Sequence, residues 1–185
     1  MGGGERTGAM AEPIEIDVWQ GDLAELEVDA LVIAATESLF MTAGAAASVK
    51  RHGGDEIERA AVDQGPIAPG SATVTGAGSL PAQYVIHAVA VGHDRVADPR
   101  VLRAAVRSAL AYAEPLQLRR IAVAPLGTET GAFGPEEAAR ILVAELLDAA
   151  RGTPIESVVL TAAHLPELRA LVDAVRTRDT GASVA

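Results

Sequence analysis

Four short, largely apolar runs, each followed by turn residues and then by a stretch with helical periodicity, constrain this chain more than any other feature. Ala30–Ala35 is continuously apolar and too short for a typical helix, as expected of a strand covered on both faces. Tyr84–Val91, Ile121–Pro125 and Ile155–Thr161 repeat the pattern. Alternation over Ile14–Trp19 suggests a half-buried first strand, and Ser71–Thr75 reads as a further one. Helices are expected over Ala43–Arg51, stopped by Gly53-Gly54, and over Asp55–Gln64, ending at Gly65-Pro66. Asp98 caps a third helix, whose Pro99 occupies the first turn, where a missing N–H is harmless. Its apolar stripe is Leu102, Ala105/Val106, Ala109/Leu110 and Ala113, a helical period. Pro135–Ala150 follows as a helix with Ala138, Ile141/Leu142, Leu146 and Ala149 inward, and Pro166–Arg176 is the last. This alternation implies a three-layer α/β/α sandwich around a mixed, largely parallel central sheet. Such sheets bind ligands at the carboxyl ends of their strands.

A length of 185 residues suits one domain, expected over residues 13–176, with polar tails at 1–12 and 177–185 that read as flexible. Aromatic residues are only 3% of the chain, so Ala, Val, Leu and Ile must fill the core. No apolar run approaches the ~18 residues of a membrane span. The first residues lack the apolar core of a secretory signal, so a cytoplasmic location without membrane contact is expected. The absence of cysteine excludes disulfides, thiolate catalysis and thiolate metal sites. A formal charge of −10 argues against nucleic acid as a partner, because phosphate-backbone binding needs clustered Lys and Arg. Lys50 is the only lysine. Arg100, Arg103 and Arg107 share a helix face that reads as a solvated surface.

Two loops stand between a buried strand and a helix. The first runs from Thr36 to Ala47 and the second, Gly127-Thr128-Glu129-Thr130-Gly131-Ala132-Phe133-Gly134, is richer in glycine. Small residues let backbone N–H groups approach a ligand, and a helix N-terminus adds partial positive charge. Facing one another, the two loops could clamp a diphosphate without lysine or arginine. Spacing alone allows the plainer reading equally, since glycines make tight strand-to-helix turns throughout α/β proteins. Neither loop carries the dinucleotide fingerprint or the P-loop signature.

Gln20-Gly21-Asp22-Leu23 and Val28–Val32, Gly70–Thr75, Leu80–Val89, and Ala124–Thr128 through Gly131 and Gly134 together resemble the macrodomain family, over about Ile14 to Val175. The resemblance implies non-covalent binding of ADP-ribose or a related nucleotide, or of an ADP-ribosylated protein, with no cofactor and no metal. It makes Asp22 the acceptor for the adenine amino group, a role that suits a carboxylate because that amine is a pure donor. A turn or cap aspartate is the plainer alternative. Leu23 would offer its backbone beside the base. Thr42, Ala43, Gly44 and Ala45 fall in the first phosphate loop, and Gly127, Thr128, Glu129, Thr130, Gly131, Ala132 and Phe133 in the second. Phe133 falls where the family often places an aromatic against the distal ribose; otherwise it is a loop anchor in the core.

The departures bear on catalysis. Thr36 replaces the second asparagine of the family's Asn-Ala-Ala-Asn run, and one hydroxyl replaces an amide's donor and acceptor. Ala46 stands where hydrolytic members carry an aspartate, and a methyl group cannot activate water. Thr36 remains the one candidate for chemistry, and hydrolysis of ADP-ribosyl or O-acetyl-ADP-ribose esters is the alternative to plain binding. The second loop is one residue longer than usual, and an inward Glu129 would oppose a diphosphate. These changes also fit a structural or interaction domain whose pocket has decayed. His52, His87, His93 and His164 are dispersed without metal-ligand spacing. His87 reads as a satisfied, partly buried histidine, and His93-Asp94 as a surface turn that could reach the sheet's carboxyl edge. Ser38 and Ser48 have no neighbouring base in sequence, and Glu136-Glu137 fit helix-start electrostatics.

Overall fold

A computed structural model describes residues 14–128 and 131–181. Among the described residues six strands form one sheet: β1 (Glu15–Gln20), β2 (Ala30–Ala34), β3 (Ala72–Gly76), β4 (Tyr84–Ala88), β5 (Arg120–Val123) and β6 (Ser157–Ala162). Their order is β1-β6-β5-β2-β4-β3. All neighbours are parallel except β3, which runs antiparallel to β4 at one edge. Among the same residues five α-helices cover the sheet: α1 (Gly44–Gly53), α2 (Asp55–Val62), α3 (Pro99–Leu110), α4 (Pro135–Ala149) and α5 (Leu165–Gly181). The fold is the expected α/β/α sandwich.

β2 shows why both faces are covered. Ala30, Val32 and Ala34 project into a core shared with α3, α4 and α5, through Leu102, Val106, Leu142, Leu146 and Leu171. Leu31 and Ile33 project the other way, against Val49 of α1 and Ile57 of α2. Period-two alternation on a strand that is apolar throughout gives each face its own core. The α3 stripe is buried as its period requires, and Asp98 accepts from the Arg100 amide at 2.8 Å to cap it.

The connections decide where a ligand could sit. The chain leaves β2 towards β4 by way of α1, α2 and β3, and leaves β5 in the opposite direction towards β6 by way of α4. Right-handed crossovers running in opposite directions place their helices on opposite faces. β2 and β5 are neighbours, so the loops leaving their carboxyl ends part from one another and open a crevice between them.

The structure moves several expected details. β4 ends at Ala88, although Val89, Ala90 and Val91 stay buried beyond it. Ala149 is only half-buried and Ala150 takes the inward position at the end of α4. α5 continues through Thr177 to Gly181, so helix occupies the start of the stretch expected as a tail. His87 is fully buried, not partly, and only one of its ring nitrogens has a partner among the described residues. Arg103 and Arg107 do not form a merely solvated face: both bind Glu145 of α4, which is 4% exposed. The expected tail at 1–12, the last residues 182–185, Glu129 and Thr130 lie outside the described residues. Among those described, no helix is long and apolar enough to cross a membrane.

Candidate functional site

The first loop is held from below by side chains that alternate in and out of the core. Leu39 and Met41 are buried, and Phe40 between them is exposed. Leu39 adopts φ 63°, a left-handed conformation that costs a bulky residue roughly 1–2 kcal/mol and persists because burial of its side chain offsets it. Three hydrogen bonds donated by backbone amides fix the path. The Leu39 amide donates to Thr36 O at 3.0 Å, the Ile67 amide to Glu37 O at 3.0 Å, and the Met41 amide to Glu58 Oε2 at 2.7 Å. Glu58 also binds Lys50 at 2.7 Å, and these two bonds hold its carboxyl below the ordinary carboxylate value despite some burial. The loop ends at Ala43, which begins α1 without a side-chain cap.

The second loop leaves β5 at Ala124, whose amide donates to Val32 O at 2.9 Å. Gly127 turns it with φ 89°, and a Cβ there would stand 3.0 Å from the Phe133 ring as well as demanding a left-handed side-chain residue. Phe133 is 3% exposed and packs in the core, anchoring the loop rather than lining the crevice. α4 then starts at Gly134, again without a side-chain cap. By contrast, α3 is capped by Asp98, and Glu167 accepts from the Ala163 and His164 amides at the start of α5. The helices that begin at the two loops thus present first-turn amides that no capping side chain among the described residues satisfies.

Two adjoining lobes result. The larger, of about 530 Å³, is lined by Gly21, Asp22, Leu23, Ala43–Ala45, Ser48, Ala124, Pro125, Thr128, Thr161, Ala163, His164 and Glu167. The smaller, of about 180 Å³, lies at the ends of β2 and β4 and is lined by Ala34–Glu37, Ala90–His93, Arg95 and Gly127. Gly127 and Thr128 are consecutive and wall one lobe each. The larger volume lies in the range of small-molecule sites.

Asp22, Leu23, Ala43, Gly44, Ala45 and Thr128 thus meet in one lobe, and Thr36 and Gly127 in the other. Thr42 and Gly131 are exposed and Ala132 is half-buried; none of the three lines a lobe. Ser48 is not among the expected ligand contacts, yet it stands one turn after Gly44 and Ala45 on the same face of α1, a spacing that could have found it. Gly21 adjoins Asp22, whereas Thr161, His164 and Glu167 come from the end of β6 and the start of α5, too distant in sequence from Asp22 and the two loops for spacing to join them.

Asp22 caps the short 3-10 turn Leu23–Glu25 by accepting from the Ala24 amide at 3.0 Å, in line with its plainer reading. It still faces the larger lobe. Burial pushes its carboxyl up, but the Ser48 hydroxyl, the Ala24 amide, and the charges of His52 and Arg51 outweigh burial and leave it below the ordinary value. Among the described residues, neither Lys nor Arg lines the larger lobe. The Thr128 hydroxyl oxygen is buried with no partner among the described residues. In the smaller lobe Thr36 Oγ1 lies 3.1 Å from Ser38 Oγ, and His93 Nε2 lies 2.8 Å from Glu37 Oε2. Among the described residues no three His, Asp or Glu side chains cluster as metal ligands.

A largely parallel sheet whose strand order reverses beside the uncapped start of α1 defines an α/β/α sandwich with a crevice at its carboxyl edge. The macro domain family model matches residues 32–142. An uncharacterised Mycobacterium tuberculosis protein is 38% identical over 130 residues, 70% of this chain and 36% of that protein. The chain therefore spans about a third of the length of the mycobacterial relatives it matches. A mutant of the Oceanobacillus iheyensis macrodomain with ADPR superposes with a TM-score of 0.84 at 17% identity, covering 91% of this chain and 96% of that one. The Trypanosoma brucei macrodomain in complex with ADP-ribose gives 0.80 at 24% identity, covering 87% and 69%. This chain belongs to the macrodomain family.

Proposed function

We propose that the two-lobed cleft binds ADP-ribose, or an ADP-ribosyl group carried on a protein, without covalent chemistry. The observation that carries this reading is that the uncapped start of α1 at Ala43–Ala45 lines the larger lobe together with Thr128, whose buried hydroxyl lacks a partner among the described residues. A diphosphate lying there would accept from free first-turn amides and from that hydroxyl, which offsets the absence of lysine and arginine. Asp22 and Leu23 then take the adenine, and Thr36 in the smaller lobe faces the distal ribose. The macrodomains of similar fold that hold ADP-ribose support the assignment. Calorimetric titration with ADP-ribose tests it: the unmodified protein binds, and Asp22→Ala binds at least tenfold more weakly, a loss of about 1.4 kcal/mol expected for a lost hydrogen bond to a charged group. No heat with the unmodified protein refutes it.

A second reading, hydrolysis of an ester on the distal ribose, is favoured by the Glu37–His93 pair beside Thr36. A carboxylate that orients an imidazole suits it to take a proton from water. Ala46 supplies no carboxylate there. Turnover of O-acetyl-ADP-ribose that is lost in both His93→Gln and Thr36→Ala would establish this reading, and inactivity of the unmodified protein on a panel of ADP-ribosyl esters would dismiss it.

A further inference from the structure

Ser48 is 7% exposed, lines the larger lobe and belongs to a relay of three side chains. Arg51 Nη2 donates to Ser48 Oγ at 3.1 Å, and Ser48 Oγ donates to Asp22 Oδ2. Asp22 Oδ1 accepts from the Ala24 amide at 3.0 Å. One lone pair on each carboxylate oxygen is thereby used inside the protein, which fixes the plane of the group and leaves one lone pair on each for a ligand. Donation from a guanidinium polarises the hydroxyl, and a polarised hydroxyl donates more strongly to a carboxylate. The Asp22 side chain retains 32% exposure, towards the lobe it lines.

We propose that Ser48 is a positioning residue that sets base selectivity: held by Arg51, it presents Asp22 as an ionised, oriented acceptor for an exocyclic amine. This rests on the ADP-ribose reading above. A carbonyl oxygen at the same position of the base, as in hypoxanthine, would face a carboxylate with no proton to share. A site built to hydrogen-bond one group rejects the analogue lacking it, because a desolvated acceptor is left unmatched. The relay does not point to a nucleophilic serine. The hydroxyl proton is directed at Asp22, and His52 Nδ1 lies closer to the Ser48 carbonyl oxygen, 3.0 Å, than to its hydroxyl, 3.2 Å.

The test compares ADP-ribose with inosine diphosphate ribose by calorimetry on the unmodified protein, Ser48→Ala, Ser48→Thr and Arg51→Gln. The unmodified protein should prefer the adenine ligand about tenfold or more, and Ser48→Ala should shrink that preference to about threefold or less with the inosine ligand unaffected. Ser48→Thr keeps the hydroxyl and should restore the preference. Arg51→Gln leaves the serine in place and should lower it in the same direction, so a Ser48→Ala that fails to fold does not remove the test. An unchanged preference in Ser48→Ala or Arg51→Gln overturns the proposal, as does an equal loss for both ligands, which marks a packing role alone. Binding of neither ligand by the unmodified protein overturns the ADP-ribose reading and the role of Ser48 with it.

Discussion

His87 lies in the middle of β4 with no exposed surface, and its Nε2 shares a hydrogen bond with Thr75 Oγ1 at 3.0 Å. Its Nδ1 is buried without a partner among the described residues, and no carboxylate among them pairs with the ring to compensate a charge. Burial pushes its pKa down to about 4 from an ordinary value of 6.5. In the unfolded chain the ring regains the ordinary value, so between the two the unfolded state binds the additional proton and acid favours unfolding. This contribution to stability is complete above about pH 6.5, falls as pH drops, and is fully lost once the folded ring protonates near pH 4. A gap of about 2.5 pH units corresponds to about 3 kcal/mol, a large share of the stability of an ordinary domain. Urea unfolding followed by the fluorescence of Trp19, the one tryptophan, measures it at intervals from pH 7.5 to 4.5. His87→Gln keeps a group that can meet Thr75 and does not titrate. It should start less stable at pH 7.5 and lose about 2–3 kcal/mol less than the unmodified protein on descending to pH 4.5. The lowered carboxyls of Asp22 and Glu58 are common to both proteins, so their contribution cancels in the comparison. Parallel pH profiles for the two proteins would refute the reasoning.

Glu145→Ala removes a 4%-exposed carboxylate that ties α3 to α4 through Arg103 and Arg107; because those arginines are themselves half in solvent, the loss should be about 2 kcal/mol in urea, against several for a fully buried pair. Glu145→Met should recover part of it, and an unchanged midpoint in Glu145→Ala would show that the strut carries no stability. Glu58→Gln weakens the grip on the Met41 amide and should lower ADP-ribose affinity about threefold with little change in thermal midpoint, as measured by titration and calorimetry. Among the described residues the larger lobe holds no Lys or Arg, so ADP-ribose affinity should vary less than about threefold between 50 and 500 mM NaCl; a tenfold weakening would point to cation-held phosphates.

Much of this fold was legible because its signals are local and periodic. The uninterrupted apolarity of Ala30–Ala34 announces burial on both faces, and the Asp98-Pro99 start of α3 needs only neighbouring residues to be recognised. The limits of α5 were not legible, since Thr177–Gly181 carries no apolar stripe that would extend the helix and continues it by propagation from Leu165–Arg176. The partners of a charge were equally hidden. Arg103 and Arg107 look solvated on their own helix, and only the approach of α4 supplies Glu145, 42 and 38 residues away. Phe133 shows the same limit in reverse. Its sequence position allowed either a ribose wall or a core anchor, and the turn at Gly127 swings its ring inward.

The site follows from topology more than from side-chain chemistry. Reversal of direction between β2 and β5 opens a crevice whatever lines it, and the connection from β2 places the start of α1 against it. Among the described residues neither Lys nor Arg lines the larger lobe, and the single lysine of the chain is paired with Glu58 and Asp55. For the proposed diphosphate the donors there would be the first-turn amides of α1 and the Thr128 hydroxyl, approached past the small residues Ala43–Ala45. Side-chain identity therefore matters least along the floor of the cleft and most at its two ends. Asp22 with Ser48 stands at one end and Thr36 with Glu37 and His93 at the other. Substitutions at the ends should alter which ligand is chosen or what becomes of it, whereas a Cβ on Gly127 should weaken every ligand alike.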